Sequence, residues 1–213
     1  MNIIKRPFRY ANYNLVYWLI GINVLVFAAA QLLGSNVRYM MTVYLSMIPA
    51  LIIDKGWVWT FITYMFMHGS VSHILFNMLG LFIFGVQVER QMGSKEFLLF
   101  YILTGMLAGI FSFAVYFFTG NYVVALMGAS GALYAVQLAF AILFPGSIIY
   151  IWGILPLRAP VMVLGFTVLS LFFVISGRGG NVAHLTHLAG FAFAWIYFVV
   201  RFGVNPWRRL TGR

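Results

Sequence analysis

The residues able to do chemistry in this sequence are few and fall in a pattern. Four histidines occur in the whole chain, as two close pairs: His68 with His73, and His184 with His187. Asn77 follows His73 by four positions, which puts both on one helix face. Gly128-Ala129-Ser130-Gly131 opens an apolar stretch. Cysteine is absent, so thiolate catalysis, Cys-ligated metals and disulfides are excluded. Asp54, Glu89 and Glu96 are the three acidic residues. None lies at the centre of an apolar segment, so a pair of catalytic carboxylates cannot be assembled there. His-Glu-x-x-His, the usual zinc-protease motif, is missing. A serine nucleophile with a histidine base remains.

Ser130 and His187 are the candidates for those two roles. No acidic residue falls near either, so a third, orienting carboxylate is not available and the pair would be a dyad. Something else must hold the imidazole. Tyr134, one turn beyond Ser130, could do so by ring stacking. Acyl transfer also needs donors for an oxyanion. The Ser130 amide would sit at a helix N-terminus, where N–H groups lack intrahelical partners and the dipole favours negative charge. His73 and Asn77 could add side-chain donors. Gly128 and Gly131 suit a tight loop-to-helix entry, and Gly190 with Ala194 forms a small face just beyond His187 that permits close helix contact.

The elements that must position these groups are membrane spans. The chain has 213 residues, 63% hydrophobic and 8% charged, with a mean hydropathy of +0.98. A soluble domain averages about 25% charged residues, so the bilayer must be the solvent. The net charge of +10 does not indicate nucleic acid, because Lys and Arg lie between apolar blocks rather than on one face. Six spans are expected, at about Asn14–Leu33, Val71–Val88, Phe97–Phe118, Gly128–Phe144, Pro160–Ile175 and Val182–Phe202. Each is about 16 to 22 residues long, near the number of about 20 needed to cross the hydrocarbon core. The fold class is an all-α membrane bundle, a single domain over 1–213 with short tails at 1–13 and 203–213. Ala28-Ala29-Ala30 resembles a signal-peptidase site, but the apolar run before it exceeds a typical signal core, and a retained first helix is expected.

Orientation follows from the cations. With the N-terminus inside, Lys5, Arg6, Arg9, Arg90, Lys95, Arg158, Arg201, Arg208, Arg209 and Arg213 are cytoplasmic. Only Arg38, Lys55 and Arg178 are then outside, a clear positive-inside bias. The long connection Gly34–Ser70 carries Pro49, Trp57 and Trp59 and is apolar enough to lie at the membrane interface. The candidate residues all sit in the first turns of the second, fourth and sixth spans, which run the same way. Ser130, His187, His73 and Asn77 should therefore meet at one depth, within roughly 10 Å of the outer helix ends.

Over nearly its whole length this pattern resembles the rhomboid family of intramembrane serine proteases. Gly128-Ala129-Ser130-Gly131 is similar to the family's Gly-x-Ser-Gly, with the serine as nucleophile. His187, in His187-Leu188-Ala189-Gly190, matches the catalytic histidine of the last core helix. His68, His73 and Asn77 match His-x4-His-x3-Asn, whose last two members help form the oxyanion hole. Tyr134 matches the aromatic that stacks on the histidine, and Gly34–Ser70 the membrane-embedded loop. Two departures stand out. Trp59-Thr60 replaces the common Trp-Arg, and Gly190-x-x-x-Ala194 replaces Gly-x-x-x-Gly. The resemblance implies the basic six-helix, bacterial-type form in a cell inner membrane. It implies a site opening outward, transmembrane protein substrates entering laterally from the lipid, small residues near the cleaved bond and no cofactor.

Other readings stay open at this level. His184, three residues before His187, is the rival base. His68 suits a structural role. Glu89 and Arg90 suit an anchor at the inner end of the second span. The segment Asn121–Met127 is apolar enough to dip into the bilayer. The two histidine pairs could ligate haem b or a metal in an electron-transfer protein, which would leave Ser130 and Asn77 unexplained. A transporter would line a path across the bilayer with its polar residues, whereas here they cluster at one depth. An inactive relative would not need both Ser130 and His187. Oligomeric state is not readable.

Overall fold

A computed structural model describes residues 7–151, 153–176 and 181–212. Lys5, Arg6, Arg178 and Arg213, used above for orientation, lie outside the described residues. Among the described residues five helices are long and apolar enough to span a membrane: Leu15–Leu32, Val71–Met92, Ser94–Phe118, Ala159–Ser176 and His184–Phe202. These correspond to the first, second, third, fifth and sixth expected spans.

Helix α1 (Leu15–Leu32) has no side-chain cap of its own. The carboxylate of Glu89 supplies one, accepting from the Leu15 amide at 2.7 Å and the Val16 amide at 2.9 Å. Only Val16, Leu19, Asn23 and Ala30 of this helix are buried. Trp18, Leu25 and Leu32 point outward, as an apolar helix facing lipid requires.

The long connection is helical rather than irregular. It holds α2 (Ser35–Leu45), α3 (Pro49–Lys55) and α4 (Thr60–Thr63), the last running into a 3₁₀ turn at Tyr64–Phe66. That conformation satisfies most backbone groups internally, as an apolar environment demands. The connection is also tied to the segment that precedes Ser130. Met47 and Leu126 exchange amide-to-carbonyl bonds of 3.0 and 2.9 Å, and the Ala50 amide donates to the Tyr122 carbonyl at 2.8 Å. Thr60, where the family pattern has arginine, is buried, and its hydroxyl donates to the Trp57 carbonyl at 2.6 Å.

Helix α5 (Val71–Gly80) continues through a π-helical stretch, Leu81–Gly85, into α6 (Val86–Met92). It thus extends four residues past the expected end. Gly93, at φ 83°, turns the chain into α7 (Ser94–Phe118). Helix α8 (Ser130–Leu143) has 14 residues, about 21 Å at 1.5 Å per residue, so the expected fourth span, Gly128–Phe144, is too long at both ends. Its burial accounts for the short length. Residues 131–133 and 135–142 are all buried, so α8 is surrounded by protein and its ends need not reach the lipid headgroups. Helix α9 (Ala159–Ser176) and α10 (Asn181–Tyr197) pack against it. Helix α10 ends in a π-helical turn, Phe198–Phe202, and is followed by the short α11 (Pro206–Thr211).

One element amends the all-α expectation. Strands β1 (Ile148–Ile151) and β2 (Leu155–Arg158) form an antiparallel hairpin, with Ile148 opposite Arg158 and Ile151 opposite Leu155. The β-branched Ile148, Ile149 and Ile151 favour extended backbone, and Gly153, at φ 71°, permits the reversal. Apolar content alone does not separate such a hairpin from a helical connection.

Candidate active site

The segment before α8 descends to Gly128, whose amide donates to the Tyr64 carbonyl at 2.9 Å. Gly128 adopts φ 116°, and a Cβ there would lie 2.5 Å from His73 Nε2. Glycine is therefore required twice over, for backbone conformation and for room beside the imidazole. Two residues later α8 begins at Ser130, whose amide belongs to the first turn and has no intrahelical acceptor.

His187 Nε2 lies 2.8 Å from Ser130 Oγ. Tyr134 stacks on the same imidazole, with ring centroids 4.1 Å apart and planes at 13°. His187 Nδ1 is buried and makes no hydrogen bond among the described residues, so stacking rather than a carboxylate orients the ring. His184 is turned elsewhere. Its ring stacks on Phe173 of α9 at 4.7 Å and meets His187 edge-on at 5.8 Å. The pairing depends on close contact between α8 and α10. A Cβ on Gly190 would overlap the Gly131 carbonyl oxygen, and one on Gly131 would come within 3.2 Å of Ala108 Cβ and Thr186 Cγ2.

His73 and Asn77 face the serine across a cavity of about 410 Å³. It is lined by Ser72, His73, Phe76 and Asn77 of α5, by Ser130, Leu133, Tyr134 and Gln137 of α8, and by Phe166 of α9. Asn77 Nδ2 donates to the His73 carbonyl at 2.8 Å, while its Oδ1 is buried and has no partner among the described residues. His68 is 1% exposed and packs edge-on against His73 with centroids 5.0 Å apart. Burial, with His73 beside it, lowers the His68 pKa to about 4, so this ring is neutral near pH 7. It backs His73 rather than lining the cavity.

Several residues that support this arrangement escaped the sequence argument. Tyr64 is buried, its phenol donating to the Gly105 carbonyl at 2.7 Å. The hydroxyls of Ser112 and Thr186 lie 2.6 Å apart and join α7 to α10 one residue before His187. Gln137 and Phe166 line the cavity. A signal for Gln137 existed: it stands seven residues after Ser130, on the same helix face, in an otherwise apolar segment.

The profile of the Rhomboid domain matches residues 55–203. The chain belongs to the rhomboid family. It is 34% identical over 121 residues to the rhomboid protease GlpG of Haemophilus influenzae, covering 55% of this chain and 56% of that protein. It is 31% identical over 118 residues to the rhomboid protease GluP of Bacillus subtilis, covering 55% and 22%. It is 27% identical over 197 residues to the chloroplastic rhomboid-like protein 16 of Arabidopsis thaliana, covering 85% and 60%. The matches therefore span about half to two thirds of the length of the first such relatives. Together the rhomboid assignment and the apolar helices make this an integral membrane protein. They do not favour the haem or metal alternative.

Proposed function

We propose that this rhomboid is an intramembrane serine endopeptidase that cleaves transmembrane segments of other membrane proteins with Ser130 and His187. The observation that carries the proposal is the 2.8 Å contact between His187 Nε2 and Ser130 Oγ, with Tyr134 stacked on the imidazole. Similarity to rhomboid proteases of Haemophilus influenzae and Bacillus subtilis supports the same activity.

In the proposed cycle His187 Nε2 takes the proton from Ser130 Oγ as the oxygen attacks a substrate carbonyl. The developing oxyanion is held by the Ser130 amide, the second N–H of Asn77 Nδ2 and the His73 ring. These donors are fixed before reaction and lie in a largely apolar cavity, where they act strongly. His187 then gives its proton to the leaving amine. Water attacks the acyl-enzyme, with His187 again taking the proton, and Ser130 is released. A helical peptide bond is shielded from such attack, so the substrate segment unwinds locally before cleavage. Lateral entry past α9 is part of the proposal.

The architecture we propose is one domain of six spans, with α8 as the short fourth span, both termini cytoplasmic and the site opening to the outer face of a bacterial inner membrane. The test is reconstitution in liposomes with a labelled single-span substrate. Wild-type protein should cleave it and Ser130→Ala should not. Equal cleavage by the two would refute the proposal. Ser130 should also be labelled by a fluorophosphonate, and His187→Ala should lose that labelling.

A further inference from the structure

A second cavity, of about 680 Å³, lies at the end of the bundle away from Ser130. Phe144, just past the C-terminus of α8, lines it, whereas Ser130 begins that helix. Successive turns of the second span form its floor: Phe82 and Ile83 in the π-helical stretch, then Gln87, Arg90 and Gln91 in α6. Tyr17 of α1, edge-on to Phe82 with centroids 6.2 Å apart, closes one side. The floor therefore changes character along the helix, from apolar side chains at one end to a guanidinium and two carboxamides at the other. From Phe82 to Arg90 the helix rises about 12 Å at 1.5 Å per residue, close to half of a hydrocarbon core about 30 Å thick. These floor residues are all exposed, so the cavity opens sideways, toward lipid. A polarity gradient of one-leaflet length along a span suits a phospholipid rather than a soluble ligand.

The charge is unmatched from within the protein. Glu89, next to Arg90, is buried and turned to the Leu15 and Val16 amides and the Ser94 hydroxyl. Glu96 is taken up by Arg201, Tyr197 and the Phe8 amide. Asp54 belongs to α3, which is fastened at Ala50 to Tyr122, beyond the opposite end of α7. Two further exposed cations, Arg9 and Lys95, gather at the Arg90 end. The Tyr10 phenol donates to the Arg90 carbonyl at 3.0 Å, and the Ser94 amide to the Ala11 carbonyl at 2.7 Å.

We propose that this cavity binds one phospholipid with an anionic, hydroxyl-bearing headgroup, of the phosphatidylglycerol class. An acyl chain lies along Phe82, Ile83 and Phe144, Arg90 holds the phosphate, and Gln87 and Gln91 hydrogen-bond the headgroup hydroxyls. The three polar residues stand at i, i+3 and i+4, on one helix face. A guanidinium presents paired donors to phosphate oxygens, and a carboxamide offers both a donor and an acceptor, as a hydroxyl requires. An ethanolamine headgroup finds no carboxylate in the cavity and brings its ammonium toward three cations, so it binds less well. Juxtamembrane cations attract anionic lipid in general; the cavity makes the stronger claim of a single site that depends on Arg90.

The site is separate from Ser130, and its test needs no protease activity. The full chain is delipidated in detergent and titrated with phosphatidylglycerol or phosphatidylethanolamine of identical chains, and bound lipid is counted by native mass spectrometry. One phosphatidylglycerol should bind about tenfold more tightly than phosphatidylethanolamine, the equivalent of one charge-assisted hydrogen bond. Arg90→Gln should bring phosphatidylglycerol down to the phosphatidylethanolamine level. Ile83→Trp, which fills the apolar end from an exposed position, should weaken both lipids. Lys95→Gln, which removes the same charge outside the cavity, should keep the preference. Equal binding of the two lipids by the wild-type protein would overturn the inference without any variant. Loss of the preference in Lys95→Gln as large as in Arg90→Gln would overturn it too, since diffuse surface charge would then be the cause. Glycerol phosphate competing as well as the intact lipid would overturn the chain-binding half and with it the lipid assignment.

Discussion

Two buried polar clusters sit at different places in this molecule, and they are built to different rules. Around Glu89 and Glu96 every carboxylate oxygen is occupied. Glu89 accepts from the amides of Leu15 and Val16 and from the Ser94 hydroxyl. Glu96 accepts from the Phe8 amide at 3.1 Å, from Tyr197, and from Arg201 at 2.7 and 2.9 Å. Around Ser130 the opposite holds. Asn77 Oδ1, Gln137 Oε1 and His187 Nδ1 are all buried and have no partner among the described residues. A saturated network fastens elements together, here the start of α1 and the chain before it, α6, α7 and the end of α10. An unsaturated one has capacity left for something that arrives. The cost of those unpaired groups is met by the close packing of α7, α8 and α10 beneath them.

The contrast can be broken by mutation, and the expected effects differ in kind as well as in size. Ser130→Ala or His187→Ala should lower turnover by about 10³-fold or more, with the thermal unfolding midpoint in detergent close to wild type. A large drop in that midpoint would mean the site cluster is structural too. Glu96→Ala should do the reverse. It takes away the carboxylate that Arg201 and Tyr197 share, and removing one partner of a buried pair costs about 3–5 kcal/mol. Unfolding should occur at markedly lower temperature, while the fraction that remains folded should still label at Ser130. Gly190→Val tests the packing that joins the two regimes. Its side chain would strike the Gly131 carbonyl and push α10 from α8, and a displacement of about 1 Å can cost about 10²-fold in rate. Both turnover and midpoint should fall.

Smaller effects sharpen the comparison. Tyr134→Ala should reduce turnover by roughly ten- to a hundredfold, because a positioning contact is lost, whereas Tyr134→Phe keeps the stacked ring and should stay within a few-fold of wild type. Matched steady-state assays of the two would separate stacking from any role of the hydroxyl. His68 gives the smallest effect, and it is one of stability. Its folded-state pKa is lowered to about 4 against about 6.5 for an unfolded histidine. Between those values the unfolded chain binds the extra proton, so stability should fall as pH drops from about 6.5 to about 4 and be unaffected above that window. Denaturation midpoints across this range should slope less in His68→Gln.

What was readable before the fold was known follows from how few polar residues this chain has. Ser130, His73, Asn77 and the histidine pair stand out because everything near them is apolar, and apolar blocks of span length are legible without a partner helix. The anchoring role suggested for Glu89 is visible too, though the element it holds is α1, far away in sequence. The hairpin at 148–158 was not legible, because an Ile- and Leu-rich connection has no helical or alternating signature strong enough to separate the two. Nor was the length of α8, which depends on being enclosed by other helices.

The sequence by itself determined that this is a membrane chain, that serine and histidine chemistry is what its residues can assemble, and that the candidates begin their helices at a common end. Those are consequences of composition, spacing and helix direction. Only the tertiary structure decided that His187 rather than His184 meets Ser130, that Tyr134 lies flat on it, and that Gln137 shares their cavity. Each of these depends on which helix faces touch, and that is set by the close approach of Gly131 and Gly190 across two helices far apart in the chain. His184 and His187 lie only about 60° apart around a helix of about 3.6 residues per turn, a rotation to which composition is blind and packing is not.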